Sequence, residues 1–499
     1  MGATDHRSGG RTRPGPSGDA APLVAAGHRV VVEAAHEILG AGGNAYDAVV
    51  AAGFAASVAE PGLTSLAGGG FCLVRTAAGE EVLFDFFVDT PGRGGPPAAE
   101  PRFHEVMVDF GAALQPFHCG PGSIAVPGVL AGYLHLHQRL GRIDLATVVA
   151  PAVRLAEQGV ELLPRQAGIV SLLEPILLGT DAGRALFAPG GRLLGAGDRF
   201  RNPDLAGFVA GVGRGTHRSF ADDDLAAALL SVTADGGLMT AADLDAYRVV
   251  EREPLAVDWR CHRVLTNPAP SFGGRLIAAG LARLDEVDLP PEDPRWPSAV
   301  VEAAADDDRR RAAILADDPG RPGSTRGTTH ISVWDSEGNA AAMTTSNGEC
   351  SGDVIPGTGI LTNNVLGEDD LHPDGFHVGP SGQRVASMMS PTIAVDAGGR
   401  TVLVVGSGGS KRIRAAVTQV LLNVLVHGHD PRTAVDAPRV HWDVDHVEAE
   451  PGLPAAARTA LAEIGPVNEW PDTNVYFGGA HLVVPGVGAA GDPRRDGSP

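Results

Sequence analysis

The sequence predicts an α+β fold of four layers, in which two β-sheets pack face to face between two layers of helices. Three observations support this αββα sandwich. Two helical segments precede the first β-hairpin, further hairpins follow in the second half of the chain, and a helical segment comes after the last of them. Strands joined as hairpins are antiparallel, and helices or a second sheet must cover their apolar faces. An ordinary α/β fold is the alternative that these patterns leave open.

The first elements of the chain are two helices and a hairpin. Apolar and small residues recur at helical spacing from Val30 to Ala59, and Gly42-Gly43-Asn44 interrupts them, which predicts two packed helices. The β-prone segments Phe71–Arg75 and Glu81–Val88 flank a turn at Ala77-Ala78-Gly79. Because both segments are largely apolar, we expect them in a covered sheet.

The middle of the chain predicts a helical layer and then a loop. Helical patterns run from Gly122 to Glu161 and from Leu225 to Tyr247, with Pro127-Gly128 at a point where a helix can start. The stretch Asp306–Gly327 combines a charge run with Pro and Gly and has no sustained periodicity. It is therefore predicted to be an exposed, flexible loop.

Two further hairpins are predicted after this loop. Thr329–Asp335 and Ala340–Thr345 flank the turn Ser336–Asn339, and Thr392–Val395 pairs with Thr401–Val405. A helix that ends near Gly428 follows them. Its apolar face consists of Ile413, Val417, Val420, Leu421 and Val424.

Composition restricts the partners and the setting of the protein. The 499 residues carry 60 acidic and 39 basic side chains, a net charge of −21, which repels nucleic acid and anionic membranes. No CxxC spacing relates the four cysteines, Cys72, Cys119, Cys261 and Cys350, so neither a zinc site nor a disulfide framework is expected. A reducing, cytoplasmic location fits best. Residues 1–21 are polar and Gly/Pro-rich, which predicts a disordered tail without a secretory signal.

The most informative pattern lies where the charge-rich loop gives way to a strand. Arg326–Val333 reads RGTTHISV, and an Asp-x-x-Gly-Asn turn, the segment Pro356–Leu361 and the pair Asn363-Asn364 follow it. This order resembles the start of the small subunit of the γ-glutamyltransferases, which are N-terminal-nucleophile hydrolases. The resemblance extends over about residues 25 to 490. Its other motifs are Gly42-Gly43-Asn44-Ala45, Glu60-Pro61, Gly68-Gly69-Gly70-Phe71, the segment Gly122–Gly128, Ser390-Pro391-Thr392 and Gly406-Ser407-Gly408-Gly409.

The resemblance implies that the chain cuts itself between Gly327 and Thr328. Residues 22–327 would form a large subunit and residues 328–499 a small one, together one domain with the four-layer sandwich of these hydrolases. The new α-amine of Thr328 could then serve as the base for its own hydroxyl, since its reference pKa is about 7.7 to 8. Gly327 has no Cβ, which allows the strained backbone that attack on its carbonyl requires. Without the accompanying motifs, Thr328 and Thr329 would be read as ordinary strand residues.

Two further elements complete the implied reaction site. Ser346 occupies the family position of a hydroxyl that bonds to the nucleophile, with a simple turn serine as the alternative. In the family the Gly406–Gly409 loop forms the oxyanion hole, with Gly408 and Gly409 as the candidate donors, and its place before a helix suits that role. A phosphate-binding loop is the rival interpretation, but GxxxxGK[ST] is absent. His330 is left out of the catalytic set because a strand histidine is as often a packed side chain.

The substrate-binding positions depart from the family. Phe87 stands where the family has an arginine that grips the α-carboxylate of the glutamyl group. The family's paired serines are Ser387-Met388, and its acidic residue for the α-amine aligns with Glu368, near Asn364. Asn347 completes this candidate set. The glutamyl pocket is therefore altered while the nucleophile and the oxyanion loop are retained.

A replacement cation is available in the sequence. Lys411, the only lysine, lies directly after the glycine-rich loop. We therefore take it as a candidate substrate-binding residue, with its neighbours Arg412 and Arg414 as alternatives for the same charge. A structural role at the start of a helix is equally compatible with its position.

Three functions follow from these observations. The first is a γ-glutamyltransferase-type enzyme that forms an acyl ester on Thr328 and passes it to water or an amine. The second keeps this nucleophile as an acylase or hydrolase of a non-glutamyl biosynthetic intermediate, by cleavage of an amide or a carbon–carbon bond, and Phe87 favours it. The third is an unprocessed binding protein without catalysis. Small molecules are the expected partners, the αβ unit could associate further, and neither a metal nor an organic cofactor is implied.

Overall fold

The computed structural model describes residues 21–95, 100–109, 114–314, 327–368, 376–377 and 379–499. Residues 1–20 of the predicted tail and residues 315–326 of the predicted loop lie outside this part of the chain.

Strands and helices follow one another in blocks along the chain. The strands are β1 (Leu23–Ala26), β2 (Gly69–Arg75), β3 (Glu81–Phe86), β4 (His104–Asp109), β5 (Leu114–Cys119), β6 (Val160–Glu161), β7 (Arg199–Phe200), β8 (Val250–Arg252), β9 (Leu255–Trp259), β10 (His262–Thr266), β11 (Thr328–Trp334), β12 (Ala340–Ser346), β13 (Val354–Ile355), β14 (Ile360–Leu361), β15 (Thr392–Asp396), β16 (Thr401–Gly408), β17 (Val440–Asp443), β18 (His446–Ala449), β19 (Val467–Glu469), β20 (Gly479–Val484) and β21 (Gly488–Ala490). The helices are α1 (Arg29–Gly40), α2 (Ala45–Ala59), α3 (Val129–Leu140), α4 (Leu145–Gln158), α5 (Pro164–Leu172), α6 (Glu174–Leu177), α7 (Asp181–Phe187), α8 (Pro203–Gly213), α9 (Asp223–Thr233), α10 (Ala241–Ala246), α11 (Gly273–Asp285), α12 (Trp296–Ile314), α13 (Arg412–Leu425), α14 (Pro431–Asp436) and α15 (Ala455–Ile464).

Two six-stranded antiparallel sheets form the centre of the molecule. The first has the order β1-β11-β12-β2-β3-β8, and the second has the order β21-β20-β16-β15-β10-β9. Strands β11 and β12 contact β16, which brings the two sheets face to face. Helices α1, α2 and α3 cover the first sheet with α4 packed on α1 and α2, and α11 and α13 cover the second sheet. The predicted αββα sandwich is confirmed, and the antiparallel sheets exclude the ordinary α/β alternative.

Apolar clusters occupy the spaces between the layers. Helix α2 is buried along its whole length, and its many alanines let it pack closely between α1, α4 and the first sheet. Asn44, the last residue of the Gly-Gly-Asn turn, forms a capping box with Asp47 at the start of this helix. A large apolar cluster also lies between the two sheets and includes Phe71, Leu73 and Phe87 of the first sheet and its edge. The predicted helix pair and hairpins are thus confirmed.

The predicted loop at 306–327 begins too early, because α12 continues to Ile314. Asp306 forms ion pairs with Arg309 and Arg310, three and four residues later, and with Arg283 of α11. Pairs at this spacing lie on one helical face and stabilise the helix. The charge run therefore extends a helix instead of ending it. None of the helices in the described ranges has the length and apolar character needed to span a lipid bilayer.

Candidate active site

Thr328 lies where the ends of the two sheets meet. It is the first residue of β11 and stands opposite Ser346, the last residue of β12. Across the sandwich, a Cβ at position 408 would lie 2.2 Å from the carbonyl oxygen of Thr328. The end of β16 can approach the threonine this closely only because residue 408 is glycine.

Ser346 bonds to the carbonyl group that precedes Thr328, and not to the Thr328 hydroxyl as the resemblance implied. Its hydroxyl donates a hydrogen bond of 2.5 Å to the Gly327 carbonyl oxygen and accepts one of 3.1 Å from the Gly348 N–H. A Cβ at position 327 would lie 1.5 Å from the Gly348 carbonyl oxygen, so this position requires glycine. The bond between residues 327 and 328 is thereby fixed, with its carbonyl polarised by a hydroxyl donor.

The Thr328 hydroxyl is buried, and its oxygen has no hydrogen-bond partner among the described residues. A buried hydroxyl without a partner costs about 1 to 3 kcal/mol, and such groups call for a functional explanation. The carbonyl of Thr328, in contrast, accepts a 2.5 Å hydrogen bond from the guanidinium of Arg495. The backbone of the threonine is anchored while its nucleophilic atom stays uncommitted.

The glycine-rich loop turns sharply next to this bond. Gly409 has φ = 120° and Ser410 has φ = 63°, after which α13 begins at Arg412. A Cβ at position 409 would lie 2.7 Å from the Cα of Gly478. The loop therefore leads into the N-terminus of a buried helix, where N–H groups and the helix dipole stabilise negative charge.

One pocket joins the reaction site to the loop. Gly327, Gly409 and Arg495 all line it. Its other lining residues come mainly from apolar side chains: Leu63, Ile169, Leu172, Leu173, Val475, Tyr476, Glu349 and Arg412. The pocket borders the Gly327–Thr328 bond through Gly327, so we identify it as the candidate substrate pocket.

A carboxyl group lies behind the nucleophile. Thr329 donates a 2.7 Å hydrogen bond to Glu60, which is fully buried. Burial raises the pKa of Glu60 to about 7, although the bond from Thr329 and the charge of Arg495 oppose this shift. Glu60 belongs to a motif found in the sequence, but it had no assigned role there.

His330 is a packed side chain in this structure. Its Nδ1 lies 2.7 Å from the Thr344 hydroxyl, and its Nε2 lies 2.9 Å from the Ser332 hydroxyl. Complete burial holds its pKa well below the usual value, so the ring is neutral. These contacts are consistent with leaving His330 out of the catalytic set.

Comparison with known proteins places the chain in a family. The sequence model of a family described as Gamma-glutamyltranspeptidase matches residues 32–319 and 305–499. The chain belongs to the gamma-glutamyltranspeptidase family. The Acylase ACY 1 proenzyme of Pseudomonas sp. (strain V22) is 30% identical over 89% of this chain and 86% of its own length. The Glutathione hydrolase proenzyme of Escherichia coli (strain K12) is 30% identical over 86% of this chain and 83% of its own length.

The fold is shared with a solved structure as well. The crystal structure of cephalosporin acylase from Bacillus halodurans superposes with a TM-score of 0.80, covering 99% of this chain and 98% of that one at 24% identity. The family match and the relatives named as an acylase and a glutathione hydrolase show that the protein is an enzyme, as the resemblance implied.

Some of these candidates meet beside the cleavage bond. A Cβ on Gly348 would lie 2.0 Å from the Asn364 side-chain oxygen and 2.9 Å from a Glu368 carboxylate oxygen. Asn364 also accepts a 2.8 Å bond from the Glu349 N–H. Asn347 donates 3.1 Å to the Thr362 carbonyl, and its own side-chain oxygen is buried without a partner in the described ranges. Asn347, Asn364 and Glu368 therefore surround the turn that follows Ser346.

The remaining candidates lie in apolar surroundings. Phe87 is fully buried and stacks on Phe71 with a centroid separation of 5.6 Å, inside the cluster between the sheets. Met388 packs against Phe272 at the start of α11. The Ser387 hydroxyl accepts a bond from the Met389 N–H. At the position where the resemblance implies an arginine for a carboxylate, this chain has Phe87 packed against Phe71.

The structure separates the three candidate cations. The Lys411 ammonium lies 3.3 Å from Asp443, and Arg414 pairs with Asp308. Arg412 lines the pocket instead: its Nε donates to the Tyr476 carbonyl, and its guanidinium lies 4.3 Å from the Tyr476 ring centroid. Among the cations that the sequence offered, Arg412 is therefore the one positioned for substrate.

Sequence reasoning missed Glu349 and Arg495 in the pocket. Glu349 follows the tight turn at Gly348, and an acid next to a glycine turn just after the Ser346 motif was the available signal. Arg495 contacts Thr328 from a position 167 residues away along the chain. No local pattern marks such a contact, because it depends on the packing of the chain end against β20.

Proposed function

We propose that the protein cuts its own chain between Gly327 and Thr328, and that Thr328 then transfers acyl groups from a small-molecule substrate to water or an amine. The observation that carries this proposal is the arrangement of the cleavage bond. Ser346 donates to the Gly327 carbonyl, while the adjacent Thr328 hydroxyl is buried and uncommitted. This is the arrangement expected of a precursor whose hydroxyl attacks the preceding carbonyl.

The proposed self-cleavage has two steps, acyl transfer from nitrogen to oxygen and hydrolysis of the resulting ester. The Thr328 oxygen bonds to the Gly327 carbonyl carbon, the bond from that carbon to the Thr328 nitrogen breaks, and the hydroxyl proton passes to the nitrogen. Negative charge develops on the Gly327 oxygen, where Ser346 already donates a hydrogen bond. Water then hydrolyses the resulting ester and leaves a carboxylate on Gly327 and a free α-amine on Thr328.

The mature enzyme uses the same atoms on a substrate. The α-amine accepts the hydroxyl proton as the Thr328 oxygen attacks the acyl carbon, and it returns that proton to the departing amine. The Gly408-Gly409 loop, which borders the pocket ahead of α13, supplies backbone N–H groups for the oxyanion. Hydrolysis or attack by an amine then releases the acyl group.

The substrate in this proposal is an acyl compound other than a γ-glutamyl compound. Phe87 in the apolar core supports this choice, since a glutamyl α-carboxylate would lose its arginine partner there. The relative named as an acylase supports it too. Transfer from γ-glutamyl compounds is the second candidate, which Glu368 beside Gly348 favours because a carboxylate could pair with the α-amine.

Electrophoresis and mass spectrometry of the purified protein test the proposal. We expect two fragments of about two-thirds and one-third of the chain, the smaller one beginning with Thr328. Thr328→Ala should give a single uncut chain without activity, and Thr328→Ser should still mature because it keeps the hydroxyl. An active protein that stays in one piece would refute the mechanism and favour a different nucleophile, and an inactive uncut wild-type chain would favour the binding-protein alternative.

The proposal includes a processed αβ unit, residues 22–327 with residues 328–499, in a reducing cytoplasm. Each of the two large sheets contains strands of both fragments, so the fragments would remain together after cleavage. The four free cysteines, of which Cys261 is exposed, support a reducing compartment. Gel filtration tests whether the two fragments stay together, and cell fractionation tests the cytoplasmic location.

A further inference from the structure

We propose that the substrate's acyl group is an apolar chain, and that α5 provides the wall that selects it. This inference rests on the proposed function, since it assigns the pocket beside Thr328 to the acyl group. It goes further by naming the chemical class that the pocket accepts. One wall of the pocket is apolar, and it is firmly attached to the rest of the molecule.

The apolar wall is formed mainly by the last turn of α5. Ile169 and Leu172 belong to α5, and Leu173 follows directly; Leu63 and Val475 extend the same surface. A carboxylate or ammonium on the acyl chain would lose its hydration against these side chains without gaining a partner from them. Methylene groups, in contrast, gain free energy by leaving water.

This wall is held in place on both sides. Its residues belong to a continuous apolar cluster with Ile176, Leu177 and Phe187, so they are supported from behind. The start of α5 is tied to the chain end, where the Arg165 N–H donates to Asp496 at 2.6 Å. Arg495, the residue before Asp496, donates to the Thr328 carbonyl. The wall and the nucleophile are thus linked through a single short segment.

The charged residues of the pocket, Glu349, Arg412 and Arg495, lie outside α5. Glu349 follows β12, and Arg412 begins α13, where it stacks on Tyr476. They can bind polar parts of the substrate, including the departing amine, while α5 contacts the acyl chain. A glutamyl group would instead place an α-amine and an α-carboxylate on the chain itself, where the α5 wall offers neither an anion nor a cation.

The test is a series of p-nitroanilides with acetyl, butyryl, hexanoyl and γ-glutamyl groups, assayed with the matured wild-type enzyme. Each added methylene should raise kcat/KM roughly fourfold until the pocket is filled, and hexanoyl should exceed γ-glutamyl. Fastest turnover of the γ-glutamyl compound, or no turnover of the aliphatic compounds by correctly cleaved enzyme, would overturn the inference. Absence of the fragment that begins with Thr328 would instead count against the proposed function, so the two failures are distinguishable.

A matched pair of variants assigns the selectivity to α5. Leu172→Gln places a polar side chain of similar size in the wall, and Leu178→Gln makes the same change at a partly buried leucine of the same cluster that does not line the pocket. Leu172→Gln should lower the hexanoyl-to-acetyl ratio of kcat/KM by roughly fourfold or more while self-cleavage continues. Leu178→Gln should keep the wild-type ratio. Equal ratios in the wild type and Leu172→Gln would refute the role of the wall.

Discussion

The cleavage bond and the former glutamyl-binding positions differ in how far they follow the gamma-glutamyltranspeptidase pattern. At the bond proposed for cleavage, Gly327, Thr328 and Ser346 are the residues that the resemblance implies; Ser346 donates to the Gly327 carbonyl and stands opposite Thr328. At the binding positions, Phe87 and Met388 lie in apolar clusters. Attack by a hydroxyl and recognition of the acyl group are therefore separate properties of this fold, and the second can change without the first.

The physical constraints on the two regions explain this difference. A side chain at position 327 or 408 would collide with backbone atoms, at 1.5 Å and 2.2 Å respectively. Backbone cannot be replaced by mutation, so these positions are restricted to glycine. Phe87 instead contacts side chains such as Phe71, which can change together with it while the core volume is kept.

The largest effect is expected from breaking the cleavage-bond region at Ser346. Ser346→Ala removes the hydroxyl that donates to the Gly327 carbonyl, and loss of one such donor slows reactions by about 10² to 10³-fold. We expect self-cleavage to slow by this factor, measured as the disappearance of the full-length chain over time. Ser346→Thr, which keeps the hydroxyl, is the control. Maturation of Ser346→Ala at the wild-type rate would mean that the carbonyl needs no hydroxyl donor.

A second prediction concerns the stability cost of the buried carboxyl behind the nucleophile. Burial raises the folded pKa of Glu60 from 4.5 to about 7, so the folded chain holds a proton that the unfolded chain releases. Stability must then fall as the pH rises from about 4.5 to 7 and stay low above it. Glu60→Gln removes this fall because glutamine does not titrate.

The measurement is chemical denaturation of the uncut Thr328→Ala chain with and without Glu60→Gln. At pH 8 the glutamine variant should have gained about 3 kcal/mol relative to its difference from the parent at pH 4.5. Glu469→Gln, an exposed change, is the matched control and should leave the pH profile as it is. Parallel profiles for Glu60→Gln and its parent would show that Glu60 is ionised in the folded chain.

Local patterns predicted most of the fold and the centre of the site. Thr328 and Ser346 stand equally far from Glu337, the centre of a hairpin turn, so correct prediction of the hairpin already brings them together. The same reasoning succeeded for β2 with β3 and for β15 with β16. Hairpins are predictable because their register is set by a few turn residues.

Contacts between distant segments could not be predicted in this way. Thr329 bonds to Glu60 across 269 residues, and Arg495 reaches Thr328 across 167 residues. Spacing along the chain carries no signal for such pairs, since they depend on how the layers stack. The end of α12 was missed for a related reason, because a charge run resembles a loop until its i,i+4 ion pairs are known.

The smallest effect is expected at Lys411, one of the three candidate cations for substrate binding. Lys411 is about one-third exposed and pairs with Asp443, an arrangement worth at most about 1 kcal/mol. Lys411→Ala should therefore change kcat/KM less than twofold for any acyl anilide that the enzyme accepts. Arg412→Lys, which keeps the charge but loses the planar guanidinium over Tyr476, should raise KM. A large loss of activity in Lys411→Ala with an unaffected Arg412→Lys would restore Lys411 as the cation that replaces the family arginine, and the binding region would then have kept its charge in a new place.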